Sequence, residues 1–358
     1  LVCGGCGEEV IIGPGRFKMH RIRKRSRRVL SRASACERLE ERRLLAIVWV
    51  NEGTGAGAGD TDSFNAVYGT NAGQARNIVR RAIADWENVI TNFNYAGGGN
   101  TYSLTLSATV FGGGLRGQTS NIQRNNATQK KPISATVEMD DNGGGDGWYF
   151  DPFIGVDGIP DDGEFTVPVT LFAANNPTMV GRDYYRTVLH EIGHAMGQSG
   201  NTALRIADFR VDTGVADPFA AGSTLETVTV GGNTYGFTNS GGLHLFEGPA
   251  PVGYTGPVHP NDGMNAGRAI PQQRRNLISD TVATLLRDTY NYTVTLPSQI
   301  NTFLANLNRT TGVVTVNANL NPNGSTNDFI IVDQSGSVAR FRPGGGGGAT
   351  GTDPHHQV

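Results

Sequence analysis

The fold is decided by the stretch His190-Glu191-Ile192-Gly193-His194-Ala195-Met196-Gly197. The residues before it, Arg182 to Leu189, contain neither Pro nor Gly and predict a helix that runs into it. Positions i and i+4 share one face of a helix, so His190 and His194 point the same way, with Glu191 beside them. Two neutral imidazoles at that spacing can hold one Zn²⁺, and the carboxylate can take a proton from a water on the metal. The alternative is a helix that merely carries two surface histidines.

Composition predicts a loop-rich, β-containing extracellular protein. The chain has 358 residues, of which 50 are Gly, and only 17% are charged. No apolar run approaches the roughly 20 residues of a membrane-spanning helix. Residues 1–45 carry 12 Lys and Arg against 5 Asp and Glu, whereas the remainder carries 18 against 27. An acidic body gives no reason to expect nucleic-acid binding. All three cysteines lie within residues 1–45, so the body cannot contain a disulfide.

The first 45 residues predict a basic export or leader region and hence a secreted, cell-surface or periplasmic bacterial protein. A strong basic cluster follows Met19, the first methionine. We expect translation to begin there, so that residues 1–18 are not translated. The segment Cys36–Ala46 resembles a signature near the start of many secreted proteins of certain Gram-negative-type bacteria. A basic arm that binds nucleic acid is the alternative, although no aromatic residue interleaves the arginines for base stacking.

Hydrophobic periodicity predicts an α+β domain over residues 46–295. A short β appendage is expected over residues 296–343, with strands at Val313–Val316 and Phe329–Val332, and a disordered tail over residues 344–358. The polar stretch Gly112–Pro132 predicts a loop. Within the domain we expect strands at Ala46–Val50, Thr101–Val110, Ile133–Met139 and Thr166–Ala173, helices at Ala72–Phe93 and Ser279–Tyr290, and a hairpin of Leu225–Val230 and Asn233–Phe237 around Gly231-Gly232.

A second metal is suggested by Asp140–Asp162, which is rich in Asp and Gly. Oxygen ligands on a permissive backbone suit Ca²⁺. The spacing does not match an EF-hand loop, and turns with solvated carboxylates are the alternative.

HEIGHAMG, followed by a methionine in a turn and then a helix, resembles the metzincin clan of zinc endopeptidases. Gly197 stands where that clan turns out of its helix, at a position that needs positive φ. Asp262-Gly263-Met264-Asn265 resembles the Met-turn, whose methionine forms a floor beneath the zinc histidines; ordinary gap filling is the alternative for Met264. The resemblance implies a twisted mixed sheet packed on an N-terminal helix and the active-site helix, with a C-terminal helix after the Met-turn.

The third zinc ligand departs from the short metzincin motif. The third histidine of that motif would stand at Gly200, which has no side chain. Leishmanolysin-like members take the third histidine from beyond a long insertion, and His259, five residues before Met264, resembles that arrangement. We therefore expect His259 as the third ligand, with His244 as the alternative. The remaining alternatives are an Asp such as Asp208 as the third ligand, or an inactive site with two ligands.

The resemblance implies a secreted zinc endopeptidase that acts on peptide or protein substrates. Glu191 would be the general base, and Ile133–Met139 is our candidate for the strand that pairs with the substrate. Two other functions are open. One is a non-catalytic surface or adhesion protein that retains the fold, which the missing histidine at Gly200 favours. The other is a zinc hydrolase of non-peptide substrates. The sequence indicates neither the cleavage specificity nor the oligomeric state.

Overall fold

A computed structural model describes residues 46–152, 167–170, 173–176, 179–238, 243–260, 262–265, 274–300, 305–308, 313–316, 330–335 and 338–343. The chain divides into two units, Leu1–Arg42 and Arg43–Val358, and the described residues all belong to the second. The expected leader over residues 1–45 and the tail over residues 344–358 lie outside the described residues.

The described part of the chain contains both helices and short strands, which confirms the α+β class. The helices are α1 (Phe64–Tyr68), α2 (Ala72–Val89), α3 (Tyr184–Ala195), α4 (Asp280–Tyr290) and α5 (Pro297–Ile300), with 3-10 turns at Gly57–Gly59, Gly69–Asn71 and Arg205–Phe209. The strands are β1 (Ala46–Trp49), β2 (Ile90–Asn92), β3 (Thr101–Thr109), β4 (Gly117–Arg124), β5 (Pro132–Asp140), β6 (Trp148–Tyr149), β7 (Val167–Thr170), β8 (Ala173–Asn175), β9 (Arg182–Asp183), β10 (Arg210–Ala216), β11 (Thr224–Val230), β12 (Asn233–Thr238), β13 (His244–Leu245), β14 (Arg274–Asn276), β15 (Thr293–Val294), β16 (Ala305–Asn308), β17 (Val313–Val316), β18 (Ile330–Ser335) and β19 (Val338–Pro343).

The first sheet is four-stranded and mixed, in the order β1-β3-β5-β4. Strands β1, β3 and β5 are parallel, whereas β4 runs antiparallel to β5 and forms the edge. The segment that we predicted to be a loop, Gly112–Pro132, therefore contains a strand at Gly117–Arg124. The prediction failed because an edge strand with polar residues on both faces has no period of two.

Helix α2 buries the apolar stripe that its sequence predicts, including Ala75, Ile78, Ala82 and Trp86. It ends at Val89, earlier than the predicted Phe93, because the chain turns there into the short strand β2. Helix α2 also packs on α3, since the Trp86 indole N–H donates to the carbonyl of Leu189 at 2.9 Å. The core thus fixes the helix that carries the histidines.

A second four-stranded sheet, in the order β10-β11-β12-β13, is antiparallel throughout. Its centre is the hairpin that the sequence predicts, with Val230 opposite Asn233 across Gly231 and Gly232. Both glycines have positive φ, as a two-residue hairpin turn requires. The chain then returns beside β12 as β13, which brings the segment around His244 toward α3.

The expected helix after Ser279 is confirmed as α4. The Ser279 hydroxyl caps its N-terminus by accepting a hydrogen bond from the amide of Val282. The predicted run Thr166–Ala173 is instead two strands, β7 and β8, which pair antiparallel. Farther on, the predicted strands at residues 313–316 and 329–332 correspond to β17 and β18, but they pair with β16 and β19 and not with each other. No helix of the described residues is long and apolar enough to cross a bilayer.

Candidate metal centre

Three histidine side chains converge on one point at the face of α3. The Nε2 atoms of His190, His194 and His244 lie 3.1 Å from one another in all three pairs. His194 and His244 are 7% and 8% exposed, and His190 is more open. Among the described residues, this is the one group of three or more His, Cys, Asp or Glu side chains arranged to hold a metal ion.

His244 reaches the helical pair because its strand is held on two sides. On one side, Thr238 and Phe237 of β12 pair with His244 and Leu245. On the other, the Leu245 amide donates to the carbonyl of Met264 at 3.0 Å. The segment is thereby fixed between the hairpin and the Asp262–Asn265 turn, so that the His244 ring faces α3.

The helical histidines are oriented by backbone carbonyls. The Nδ1 of His190 lies 2.8 Å from the carbonyl oxygen of Gly263, and the Nδ1 of His194 contacts the carbonyl oxygen of Gln198. A carbonyl can only accept, so each Nδ1 carries the hydrogen and each Nε2 of the neutral ring has a free lone pair. The 3.1 Å approach of these two Nε2 atoms is therefore not a hydrogen bond; two lone pairs face each other.

Nitrogen lone pairs that face one another in this way are suited to binding a cation. Nitrogens bound to tetrahedral Zn²⁺ at about 2.0–2.1 Å would lie about 3.3 Å apart, close to the spacing of the trio. Burial, and then the charges of His194 and His244, hold the pKa of His190 well below its usual range. Burial likewise lowers the pKa of His194. Both rings are thus kept in the neutral form that binds a metal ion.

Glu191 lies beside the trio with its carboxylate held by the edge strand. The Thr119 hydroxyl of β4 lies 2.7 Å from the Glu191 carbonyl oxygen and 2.9 Å from Oε2. Gly117 approaches so closely that a Cβ there would lie 2.9 Å from Glu191 Cγ. Burial raises the pKa of Glu191 to about 7, although the Thr119 hydroxyl opposes the shift. A cation at the histidines would also oppose it.

Met264 lies directly beneath the helix, between the turns that carry the two histidines. Its side chain is 1% exposed. A Cβ on Gly193 would lie 2.1 Å from Met264 Sδ, so any side chain there would displace the thioether. The turn is held by Asp262, whose Oδ1 accepts from the Met264 amide at 2.8 Å and whose Oδ2 accepts from Ser279. The cap of α4 and the support beneath the histidines therefore share one carboxylate.

The C-terminal end of α3 is fixed by buried tyrosines. Gly197 has a φ of 120°, and a Cβ there would lie 2.5 Å from the Tyr290 ring. The Tyr290 hydroxyl donates to the Gly197 carbonyl at 2.8 Å, and the Tyr102 hydroxyl donates to that of Ala195 at 2.8 Å. Tyr292 donates to the Met196 carbonyl at 3.3 Å. The tyrosine hydroxyls thus supply donors to three successive carbonyls at the end of the helix, of which that of Gly197 also accepts from the Ser199 amide.

The structure corrects the preference for His259 as third ligand, since it brings His244 to the pair instead. The His259 amide donates to the carbonyl of Phe246 at 2.6 Å, and its ring stacks on Tyr235. These contacts hold His259 outside the trio. Asp208 also lies outside the trio and pairs with Lys130.

The described part of the proposed calcium segment, residues 140–152, holds no metal-binding cluster of carboxylates. Asp140 instead accepts from the backbone amides of Phe111, Asn142 and Gly144. Burial alone would raise the pKa of Asp140, but these donors outweigh it and the pKa is lowered. The carboxylate thus organises a turn. Residues 153–162 lie outside the described residues.

Sequence reasoning missed the residues that position the site. Gly117 and Thr119 fall in the segment predicted as a loop, and Gln198 directly follows the motif. The Gln198 side-chain amide donates to the carbonyls of Leu243 and Met264 at 3.2 and 3.3 Å. A polar residue that is fully buried gives no periodic signal, so only its place next to Gly197 could have drawn attention to it.

Comparison with known proteins adds no family to this geometry. No protein-family model, curated protein or solved structure matches the chain.

Proposed function

We propose that this protein is a zinc-dependent endopeptidase of the metzincin type. The observation that carries the proposal is the convergence of His190, His194 and His244 beside the buried carboxylate of Glu191. A helix with two incidental histidines would have no reason to recruit a third from a strand 50 residues away. The glycine that admits Met264 beneath the helix and the positive φ of Gly197 support the metzincin assignment.

The three histidines would hold the zinc ion through their Nε2 atoms. Zinc bound there would supply a Lewis acid that polarises the scissile carbonyl and lowers the pKa of a water. Glu191 accepts a proton from the water as its oxygen attacks the carbonyl carbon. It then donates that proton to the nitrogen as the C–N bond breaks. Thr119 keeps the carboxylate in place for both transfers.

The edge strand β4 is the surface to which an extended substrate would add. We expected this role of Ile133–Met139, but β5 is paired with β3 on one side and β4 on the other. Strand β4 ends the sheet, and its residues Gly117 and Thr119 contact Glu191. A peptide paired along β4 would therefore run past the general base, with main-chain hydrogen bonds supplying the affinity.

The metal analysis tests the ligand set. Purified wild-type protein should contain one zinc ion per chain by atomic spectroscopy, and His244→Ala should lose it. His259→Ala is the matched control, because this histidine stacks on Tyr235 outside the trio and should keep its zinc. Loss of zinc from the His259 variant alone would contradict the assignment of His244 as the third ligand. A wild-type protein that holds no zinc would refute the enzyme proposal.

Glu191→Gln tests the chemistry separately. This variant should retain zinc and lose hydrolysis of a peptide library, read by mass spectrometry. If the library is untouched by zinc-loaded wild type, a non-peptide hydrolase or a non-catalytic surface protein replaces the proposal. We further infer export from the cytoplasm from the basic segment within residues 1–45; the protein's fraction after cell fractionation tests it.

A further inference from the structure

One cationic side chain beside the trio has no role in the chemistry described. In α3, only Arg186, Thr187 and His190 are partly exposed, and every other residue of the helix is buried. Arg186 and His190 are four positions apart and share a face, about 6 Å apart along the axis. The exposed stripe of the helix therefore runs from the metal centre to the Arg186 side chain.

The Arg186 guanidinium makes no hydrogen bond or ion pair with any described residue. The two carboxylates whose charges act on Arg186 are Asp183 and Glu247, and Asp183 already has a guanidinium partner. Asp183 accepts two hydrogen bonds from Arg275, at 2.6 and 2.9 Å. Asp146 accepts from Arg182 at 2.6 Å. The donors of Arg186 are therefore available to a ligand.

The surroundings of Arg186 make an unbound state costly. Burial lowers the pKa of Arg186 to about 10, the charges of Asp183 and Glu247 oppose that shift, and those of Arg116 and Arg182 add to it. An anion placed against Arg186 would offset both the desolvation and the repulsion between the cations.

A second guanidinium flanks the same opening from the edge strand. Arg116 directly precedes Gly117, the residue that packs on Glu191. The Arg116 Nε is buried without a partner among the described residues, and the ion pair of Arg116 with Asp146 is long at 3.8 Å. Two cationic side chains thus border the place where a substrate on β4 would meet α3.

We propose that Arg186 is a specificity-determining residue that binds a carboxylate of the substrate close to the scissile bond. The planar guanidinium donates two parallel hydrogen bonds that match the two oxygens of a carboxylate. The carboxylate comes either from an acidic side chain or from the C-terminus of a short peptide. A distance of about 6 Å spans about two residues of an extended peptide, which sets the positions to examine. The inference rests on the proposed function, since it assigns the substrate class of the same site.

The first experiment compares peptides that carry Glu or Gln at each of three positions on either side of the scissile bond, all with an amidated C-terminus. A second series compares a free C-terminal carboxylate with the amide. Zinc-loaded wild type should prefer the charged member of one pair by about 10- to 100-fold in kcat/KM, the range of a hydrogen bond to a charged group. The pair that shows the preference identifies the source of the carboxylate.

Arg186→Gln should reduce that preference to about twofold or less. Arg186→Lys should keep part of it, because lysine retains the positive charge but cannot donate two parallel hydrogen bonds. Arg80→Gln is the control, since Arg80 lies on α2 and pairs with Glu52. Thermal unfolding checks that each variant is folded. Wild type that cleaves the charged and neutral members of every pair equally, or an Arg186→Gln protein that keeps the preference, overturns the proposal.

A binding arm separates this inference from the proposed function. Fluorescence anisotropy with zinc-loaded Glu191→Gln protein should give tighter binding of the charged peptide by a similar factor, and the double variant with Arg186→Gln should lose the difference. Equal binding overturns the inference. If the difference in binding is present but wild type cleaves nothing, the carboxylate site stands and the peptidase proposal fails.

Discussion

Gly117→Ala separates the placement of Glu191, the proposed general base, from metal binding. The new Cβ would lie 2.9 Å from Glu191 Cγ and 3.2 Å from Oε1. Contacts below about 3.4 Å are repulsive for such atoms, so the carboxylate must move by about 0.5 Å. The Thr119 hydroxyl holds Oε2 at 2.9 Å, and the movement costs that hydrogen bond, about 1 kcal/mol. Gly117 does not have a positive φ, so alanine adds no backbone strain there.

Misplacing the proposed base by this amount should lower kcat by about 10- to 100-fold, while the zinc content should stay at one per chain. The measurements are kcat on the preferred peptide, zinc by atomic spectroscopy and the midpoint of thermal unfolding, which should fall by only a few degrees. Gly112→Ala is the control, because a Cβ there meets nothing within 4 Å. Unchanged kcat, or loss of zinc in parallel with kcat, would refute the argument that β4 positions Glu191.

Three further changes test the supports of the site. Tyr290→Phe removes the hydroxyl donor of the Gly197 carbonyl, which keeps only the Ser199 amide, and should cost about 1 kcal/mol of unfolding free energy in denaturant titration; an unchanged midpoint would contradict this. Gly193→Ala should displace the Met264 side chain, since Sδ would be 2.1 Å from the new Cβ, and should weaken zinc affinity in a competition titration, whereas unchanged affinity would show that the thioether gives way freely. Burial raises the pKa of Asp262 to about 6, above about 3.9 in the unfolded chain, so the unfolded state loses its proton first and stability falls as pH rises from about 4 to 6, by up to about 2–3 kcal/mol. Asp262→Asn protein from which a chelator has removed the metal should lack this fall. Parallel curves of stability against pH for this variant and for wild type treated in the same way would refute the assignment.

The elements predicted correctly from sequence are those whose signal is local. The apolar stripe of α2, the Gly231-Gly232 hairpin and the Ser279 cap each depend on residues within a few positions of one another. The pair His190 and His194 is of the same kind, because helical geometry alone places both rings on one face. Such features follow from backbone conformation and need no knowledge of what packs against them.

The edge strand β4 was missed because its partners are distant in sequence and its own pattern is polar. Its residues alternate in neither hydrophobicity nor size, so no period of two marks them. What makes Gly117–Arg124 a strand is pairing with β5, in which Gly117 lies opposite Met139. The contact of Thr119 with Glu191 is a consequence of that pairing and could not be predicted without it.

The preference for His259 over His244 differs from the observed geometry for a related reason. His259 was preferred because of its spacing from Met264, which is a property of the sequence alone. The ring beside His190 and His194 is that of His244, whose position is fixed by strand pairing. His244 lies opposite Thr238 of β12, and the amide of the next residue donates to the Met264 carbonyl. His259 bonds to Phe246 instead. Three apolar residues, Leu243, Leu245 and Phe246, flank His244 shortly after the predicted hairpin, and they were the signal for a third strand that carries His244.

Helix α3 therefore carries two of the three histidines and Glu191, and three segments remote in sequence fix the geometry of the site. The Gly263 carbonyl fixes the tautomer of His190, β13 delivers His244, and Thr119 of β4 holds Glu191. Each depends on long-range contacts, so the site should lose order before the core does when those contacts weaken. Because two lone pairs face each other at 3.1 Å between His190 and His194, the chelated protein carries a repulsion that a bound cation removes. Hydrogen exchange should consequently show protection of residues 243–246 and 262–265 rising on zinc addition while that of α2 stays constant; equal protection with and without zinc would mean that the trio is preformed at no cost.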